Sequence, residues 1–150
     1  MYLPPSLSQQ RNVEILTINC SEHDCSTLRN ILSHSNWKFQ CASTLPEGAS
    51  LLERHPVPVV ICNREFPGGN WRDVVALSRE MPVPSRVLVY SSKADDQFWM
   101  EVLESGGYDV LPKPFHPPEV YRLVTLAAQN WRKEAEQRDR PQMLHQQVGA

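Results

Sequence analysis

Val59-Val60-Ile61-Cys62-Asn63-Arg64-Glu65-Phe66-Pro67-Gly68-Gly69-Asn70-Trp71 is the stretch whose reading decides the fold. Its first half is an unbroken apolar run rich in Val and Ile and closed by turn residues, the pattern of a strand buried on both faces. In an open parallel sheet, ligands collect beyond the carboxyl ends of the strands. Asn63 ends the run and stands where chemistry is expected. It brings an amide to a place where a carboxylate would be the reactive choice.

Outward from this strand, the elements alternate. Upstream, His55-Pro56-Val57-Pro58 separates it from a helix capped by Ser43 or Thr44, with Pro46 in its first turn and Ala49 and Leu52 on its buried face. Pro58 has no N–H to give and must precede the ladder. Residues 37–42 alternate weakly and predict an edge strand. Residues 13–18 are rich in β-branched side chains and predict the first strand. After the loop Asn19-Cys20-Ser21-Glu22-His23-Asp24 comes a helix capped by Asp24 or Ser26, with Leu28, Ile31 and Leu32 at helical spacing.

Downstream, Asn70 caps a helix bearing Trp71, Val74, Val75, Leu77 and Met81 on its apolar side. Residues 86–90 form the next strand, with Ser91 at its carboxyl end. A helix over roughly 95–105 follows and stops at Gly106-Gly107. Residues 108–111 are the last strand, ending in Pro112-Lys113-Pro114-Phe115. The final helix starts near Pro117 and carries Val120, Leu123, Val124, Ala127 and Trp131. Beyond Arg132 the chain is charged and Gln-rich, and either frays or runs into solvent. Phe98 and Trp99 are adjacent on their helix and diverge by about 100°, so one of them is a candidate to face a partner.

Five strands alternating with five helices predict an α/β fold. It is a five-stranded parallel sheet of order 2-1-3-4-5, flavodoxin-like, with helices on both faces. Residues 1–12 read as a flexible N-terminal arm, 13–132 as the domain, and 133–150 as a polar C-terminal extension. That order brings Asn19, Cys20, Asn63, Ser91 and Lys113 to one mouth.

Composition narrows the function classes. The chain has 150 residues, 41% hydrophobic and 21% charged, with a net charge of -2. That is enough length for one domain with a core. No basic run offers a nucleic-acid footprint, and no apolar segment approaches the ~20 residues of a membrane span. The N-terminus lacks the basic-then-apolar order of a signal peptide, so a cytoplasmic location is expected. Cys41 and Cys62 fall in strands and read as small buried hydrophobes. Cys20, His23 and Cys25 lack the fourth ligand of a structural zinc site.

Three features together resemble the receiver domain of bacterial response regulators, over roughly residues 12–132. The first is Asn63-Arg64-Glu65-Phe66-Pro67-Gly68, where the family places a phosphoacceptor aspartate ahead of a hydrophobic-Pro-Gly turn. The second is Ser91. The third is the run from Gly106-Gly107 to Lys113-Pro114-Phe115. The resemblance implies a site in which an acidic pair and the aspartate hold Mg²⁺, while the lysine and a Ser or Thr hold the phosphoryl oxygens. It also implies a cis Lys-Pro bond.

Against that pattern this chain departs. Asn63 stands at the acceptor position, and Asn19 and Cys20 stand where the acidic pair sits. A thiol is a poor Mg²⁺ ligand, and an amide is no nucleophile. A negative pocket of carboxylates becomes one in which Lys113 alone carries charge. Glu22, Asp24 and Glu65 are candidate substitute acids. Val110 occupies the family's aromatic switch position. Strand alternation puts Tyr108 on the same face as Val110.

The expected function is therefore a degenerate receiver in a phosphorelay-type two-component system: not an enzyme, without cofactor or metal, acting by phosphorylation-independent protein–protein interaction. Its partners would be a histidine kinase or an output protein in trans, with a homodimer through helix 4, strand 5 and helix 5 as a candidate. Neither nucleic acid nor membrane is expected as a partner. Two other classes compete. A flavodoxin-like electron carrier would bind flavin mononucleotide, although the loop after the first strand lacks the Gly- and Ser-rich phosphate cradle. A redox sensor would use Cys20 and Cys62.

Overall fold

Five parallel strands form the sheet: β1 (Glu14–Ile18), β2 (Lys38–Ala42), β3 (Val59–Asn63), β4 (Arg86–Ser91) and β5 (Asp109–Pro112). Five helices connect and follow them: α1 (Glu22–Ile31), α2 (Leu45–Arg54), α3 (Trp71–Arg79), α4 (Asp96–Glu104) and α5 (Pro117–Asp139). The computed structural model describes residues 13–33 and 37–139. The expected arm at 1–12 and the tail at 140–150 lie outside the described residues. The strand order is β2-β1-β3-β4-β5, as the alternation of elements predicts.

Alternation along each strand divides the core into two layers. Val59 and Ile61 of β3, with Leu88 and Tyr90 of β4, pack under α1 and α5 against Leu28, Leu123 and Val124. Val60 and Cys62, with Val87 and Val89, pack against Leu52, Val74, Phe98 and Val102 of the other three helices. Both faces of β3 are dry, which is why its sequence shows no polar alternation. On the second face α2 approaches closely: a Cβ at Gly48 would fall 2.7 Å from Ile18 Cδ1.

Helix starts follow capping chemistry. Thr44 caps α2, accepting from the Glu47 N–H at 3.2 Å. Asn70 and Asp73 form a reciprocal capping box on α3. For α1 the expectation of Asp24 or Ser26 is corrected. Ser21 is the cap and accepts from the Asp24 N–H at 3.1 Å, which moves Asp24 into the first turn. Between β3 and α3 the loop is a small antiparallel hairpin, Glu65–Phe66 against Gly69–Asn70, turned at Gly68 with φ 87°.

Other expectations also change. Tyr108 precedes β5, so alternation does not reach it. It packs on the α1/α5 side, opposite Val110. Trp99 is half-buried and donates its indole N–H to Asp109 Oδ1 at 2.6 Å, while Phe98 is buried. Of the two readings beyond Arg132, the helix extends: α5 runs to Asp139, and Arg86 of β4 pairs with Glu134 at 2.7 Å. Cys41 is exposed on the edge strand and joined by a disulfide to Cys25 of α1, whereas Cys62 is buried. No described helix is long and apolar enough to cross a membrane.

Candidate functional site

The carboxyl ends of β1, β3, β4 and β5 meet at one mouth. At the end of β1 the chain turns sharply at Asn19, whose φ of 54° lies in the left-handed region that Asn tolerates better than other non-glycine residues. The Asn19 N–H donates back to Ala42 O at 3.0 Å. Cys20 follows and is half-buried, with its thiol directed at the carbonyls of Ile61, at 3.7 Å, and Ile18, at 4.0 Å.

Asn63 ends β3. Its Oδ1 accepts from its neighbour's Arg64 N–H at 2.8 Å, and that N–H also reaches Tyr90 O at 3.0 Å. Ser91 ends β4, buried, its Oγ accepting from the Lys93 N–H at 3.0 Å and its carbonyl from the Lys113 N–H at 2.9 Å. Asn63, Arg64, Glu65, Ser91, Ser92 and Lys93 line an open polar pocket of about 410 Å³. The Arg64 guanidinium lies over the Phe98 ring, 4.0 Å from its centroid.

Lys113 follows β5 and is joined to Pro114 by a cis bond. Its ammonium is 2.8 Å from Asp24 Oδ1, and it lies over the rings of Tyr90 and Phe115, 5.6 and 5.9 Å from their centroids. Tyr90 and Phe115 meet edge to face at 5.3 Å. Asp24 is almost fully buried. Burial alone would raise its pKa, but the hydrogen bond from Lys113 and the charge behind it, helped by Tyr90 and Ser21, hold the carboxyl below the usual carboxylate range. The picture of Lys113 as a solitary charge is thereby corrected: it stands in an ion pair with a carboxylate supplied by α1.

That carboxylate in turn shapes its neighbours. Burial pushes the Cys20 thiol up to about 11, and the charge of Asp24 adds to the rise. Burial also raises the pKa of Tyr90, whose hydroxyl faces Cys20 and Asp24 without a well-formed hydrogen bond. Cys62 is raised by complete burial. Neither thiol is a ready nucleophile at neutral pH.

Asp24 and Lys113 thus meet on the α1 side of the mouth, Asn63 and Ser91 line the polar pocket at the ends of β3 and β4, and Asn19 and Cys20 follow β1. Of the three candidate acids, Asp24 alone meets Lys113. Glu22 is exposed at the first position of α1, and Glu65 is exposed on the hairpin beside Asn63. Val110 is fully buried in the second layer. Tyr90 and Phe115 were not among the residues that the sequence singles out for this site. The signal for Tyr90 was its place just before Ser91, which puts it on the opposite strand face, toward α1. Among the described residues no group of three His, Cys, Asp or Glu side chains is placed to hold a metal ion.

Known proteins share this architecture. The family model described as "Response regulator receiver domain" matches residues 15–125. The transcriptional regulatory protein CutR of Streptomyces coelicolor is 39% identical over 81 residues, which cover 52% of this chain and 37% of CutR. The hydrogenase transcriptional regulatory protein HoxA of Bradyrhizobium diazoefficiens is 23% identical over 123 residues, 81% of this chain and 25% of HoxA. The chain therefore spans well under half the length of these curated relatives. Among solved structures, the receiver domain of the Francisella response regulator 1452 aligns with a TM-score of 0.71 at 18% identity, covering 79% of this chain and 98% of that one. The beryllofluoride-activated NtrC4 receiver domain dimer aligns at 0.72 and 21% identity, with the same two coverages. At these identities the structures establish the fold.

Proposed function

Because the chain belongs to the response regulator receiver domain family, we propose that it is a receiver whose acceptor chemistry is lost and which signals by protein–protein contact. The observation that carries this reading is the pairing of Lys113 with Asp24 at 2.8 Å, together with an amide, Asn63, at the end of β3. In the family's register Asn63 takes the acceptor position, and an amide cannot attack a phosphoryl group. The lysine that would meet the incoming phosphoryl oxygens already has a carboxylate partner. A phosphoryl group would have to displace Asp24 and leave it buried without a countercharge.

Mg²⁺ fits this donor set poorly. Asn19 offers an amide, Cys20 a thiol held protonated by burial, and Asp24 a carboxylate engaged by an ammonium. Mg²⁺ selects hard oxygen donors in near-octahedral geometry. On this reading the chain is a non-enzyme of the cytoplasm.

The working surface on this reading is α4, β5 and α5. Met100 and Leu103 of α4 and Leu126 of α5 are large apolar side chains left 63%, 51% and 42% exposed. Such exposure on a surface helix favours an association site. The partner is a second copy of the chain, a histidine kinase, or an output protein in trans. The net charge of -2 gives no footprint for nucleic acid.

The test is a titration with Mg²⁺ and beryllofluoride, followed through the amide signals of Asn63, Ser91 and Lys113. No saturable shift is expected. Saturable shifts at these three residues would overturn the reading.

A further inference from the structure

The pair of cysteines that the structure joins is not the pair that the sequence suggested. Cys20 is half-buried and Cys62 fully buried, and burial pushes both thiols up. Cys25, half-buried, and Cys41, exposed, lie across the seam between α1 and the edge strand β2, and the structure joins them. Parallel register sets Cys41 beside Thr17 of β1. The Thr17 hydroxyl lies 3.8 Å from the Cys25 sulfur. Arg29, one helical turn beyond Cys25, donates from Nη2 to the Cys41 sulfur at 3.5 Å and stacks on Phe39 of the same strand at 5.2 Å. The guanidinium places a positive charge against the sulfur at which a reacting anion would form.

We propose that Cys25 and Cys41 are a reversible redox modification site whose oxidant is a hydroperoxide and whose state is transmitted to the mouth through Asp24. Cys41 is the exposed member, and it carries the Arg29 contact. Its thiolate attacks the terminal oxygen of the hydroperoxide. An S–O bond forms, the O–O bond breaks, and the departing oxygen leaves as alcohol or water after taking a proton. The product is a sulfenic acid. Cys25 gives up its proton and attacks that sulfur. The S–S bond forms, the S–O bond breaks, and hydroxide leaves as water with the proton. In sum two thiols lose two electrons and one hydroperoxide gains them. A dithiol reductant reverses the change by exchange. In a reducing compartment, disulfides of this kind are usually transient and redox-sensing.

The link to the mouth is one peptide bond long. Asp24, the partner of Lys113, is the residue before Cys25 on the same turn of α1. Tying Cys25 to β2 fixes that turn against the sheet, and releasing it frees the turn that presents Asp24. The site adds to the interaction module proposed above but does not require it, because its readout is thiol chemistry and not partner binding.

The test uses the full chain, fully reduced, then exposed to hydrogen peroxide. Free thiols are alkylated and mapped by mass spectrometry, and the signals of Asp24 and Lys113 are followed in parallel. The expected product is a single Cys25–Cys41 bond, restored to thiols by dithiothreitol, with Cys20 and Cys62 alkylated only after unfolding. Cys25→Ser should stop at a sulfenic acid on Cys41 that a dimedone probe captures. Arg29→Gln, which keeps both thiols and removes the positive charge beside the Cys41 sulfur, should slow oxidation about threefold to tenfold. The Asp24 and Lys113 signals should move on oxidation in the native chain and stay still in Cys41→Ser. A bond between any other pair, or oxidation at an unchanged rate in Arg29→Gln, would overturn the site. Still signals at Asp24 and Lys113 in a native chain that does form the bond would overturn the transmission.

Discussion

The lysine side of the mouth and the outer side of α4 are opposite kinds of surface. At the mouth, Lys113 is met from several directions: a carboxylate at 2.8 Å and two aromatic faces. At the ends of β3 and β4, Asn63 Oδ1 and Ser91 Oγ accept from nearby backbone N–H groups. On α4, Met100 and Leu103 stand in water. The helix that holds them is well fixed, with Trp99 bonded to Asp109 and Arg72 paired with Glu101 at 3.0 Å. A charged site whose groups already have partners has little left to offer a ligand. An exposed apolar pair on a fixed helix gains by being covered. The difference teaches that uncovered apolar surface lies on the flank of this molecule, while the charge at its mouth is already paired.

The largest expected effect comes from breaking the mouth. Lys113→Ala leaves the Asp24 carboxylate buried and unpaired. It should lower stability to urea by about 2 kcal/mol, less than the roughly 3–5 kcal/mol of a fully buried pair, because the lysine side chain is 34% exposed. A loss under about 0.5 kcal/mol would show that the pair is solvated and the mouth open. Next comes the flank. Met100→Asp with Leu103→Asp should weaken self-association or partner binding at least about tenfold, near 1.4 kcal/mol, with unfolding midpoints almost unchanged. Equal sedimentation and binding in the double variant would remove α4 from the interface.

A smaller effect follows from Trp99→Phe, which keeps the ring and loses one hydrogen bond to Asp109. About 1 kcal/mol of stability should go, together with the fixed position of α4, seen as faster amide exchange there. The least is a pH effect. A carboxyl held below its unfolded value adds stability above that value and loses it as pH falls through the folded one. The stability gap between the native chain and Asp24→Asn should therefore be full at neutral pH and close below 3.8. A gap that does not narrow in acid would mean that Asp24 is not held as the ionised partner of Lys113.

Much of the scaffold was readable before any coordinates, because its causes are local. The Val59–Asn63 run has no polar alternation since both of its faces are covered, and Asn70, Thr44 and Gly68 act within a few residues of themselves. What could not be read depends on how distant elements lie. Asp24 looked like a cap. The earlier start of α1 at Ser21 turns it inward instead, and only the crossing of α1 over the sheet brings it to Lys113. Alternation predicts a face for Tyr108, but the rule stops where the strand does. Cys41 looked buried because strands in parallel sheets usually are. As an edge strand, β2 leaves it exposed, and its meeting with Cys25 follows from register that no short pattern encodes.

The central claim is that the mouth is chemically closed to phosphoryl transfer. The most direct measurement is the intact mass of the native chain after incubation with acetyl phosphate and Mg²⁺, under conditions in which an active receiver is labelled. The account predicts an unchanged mass, in the native chain and in Ser91→Ala alike. A phosphoryl adduct that maps to the mouth would contradict it.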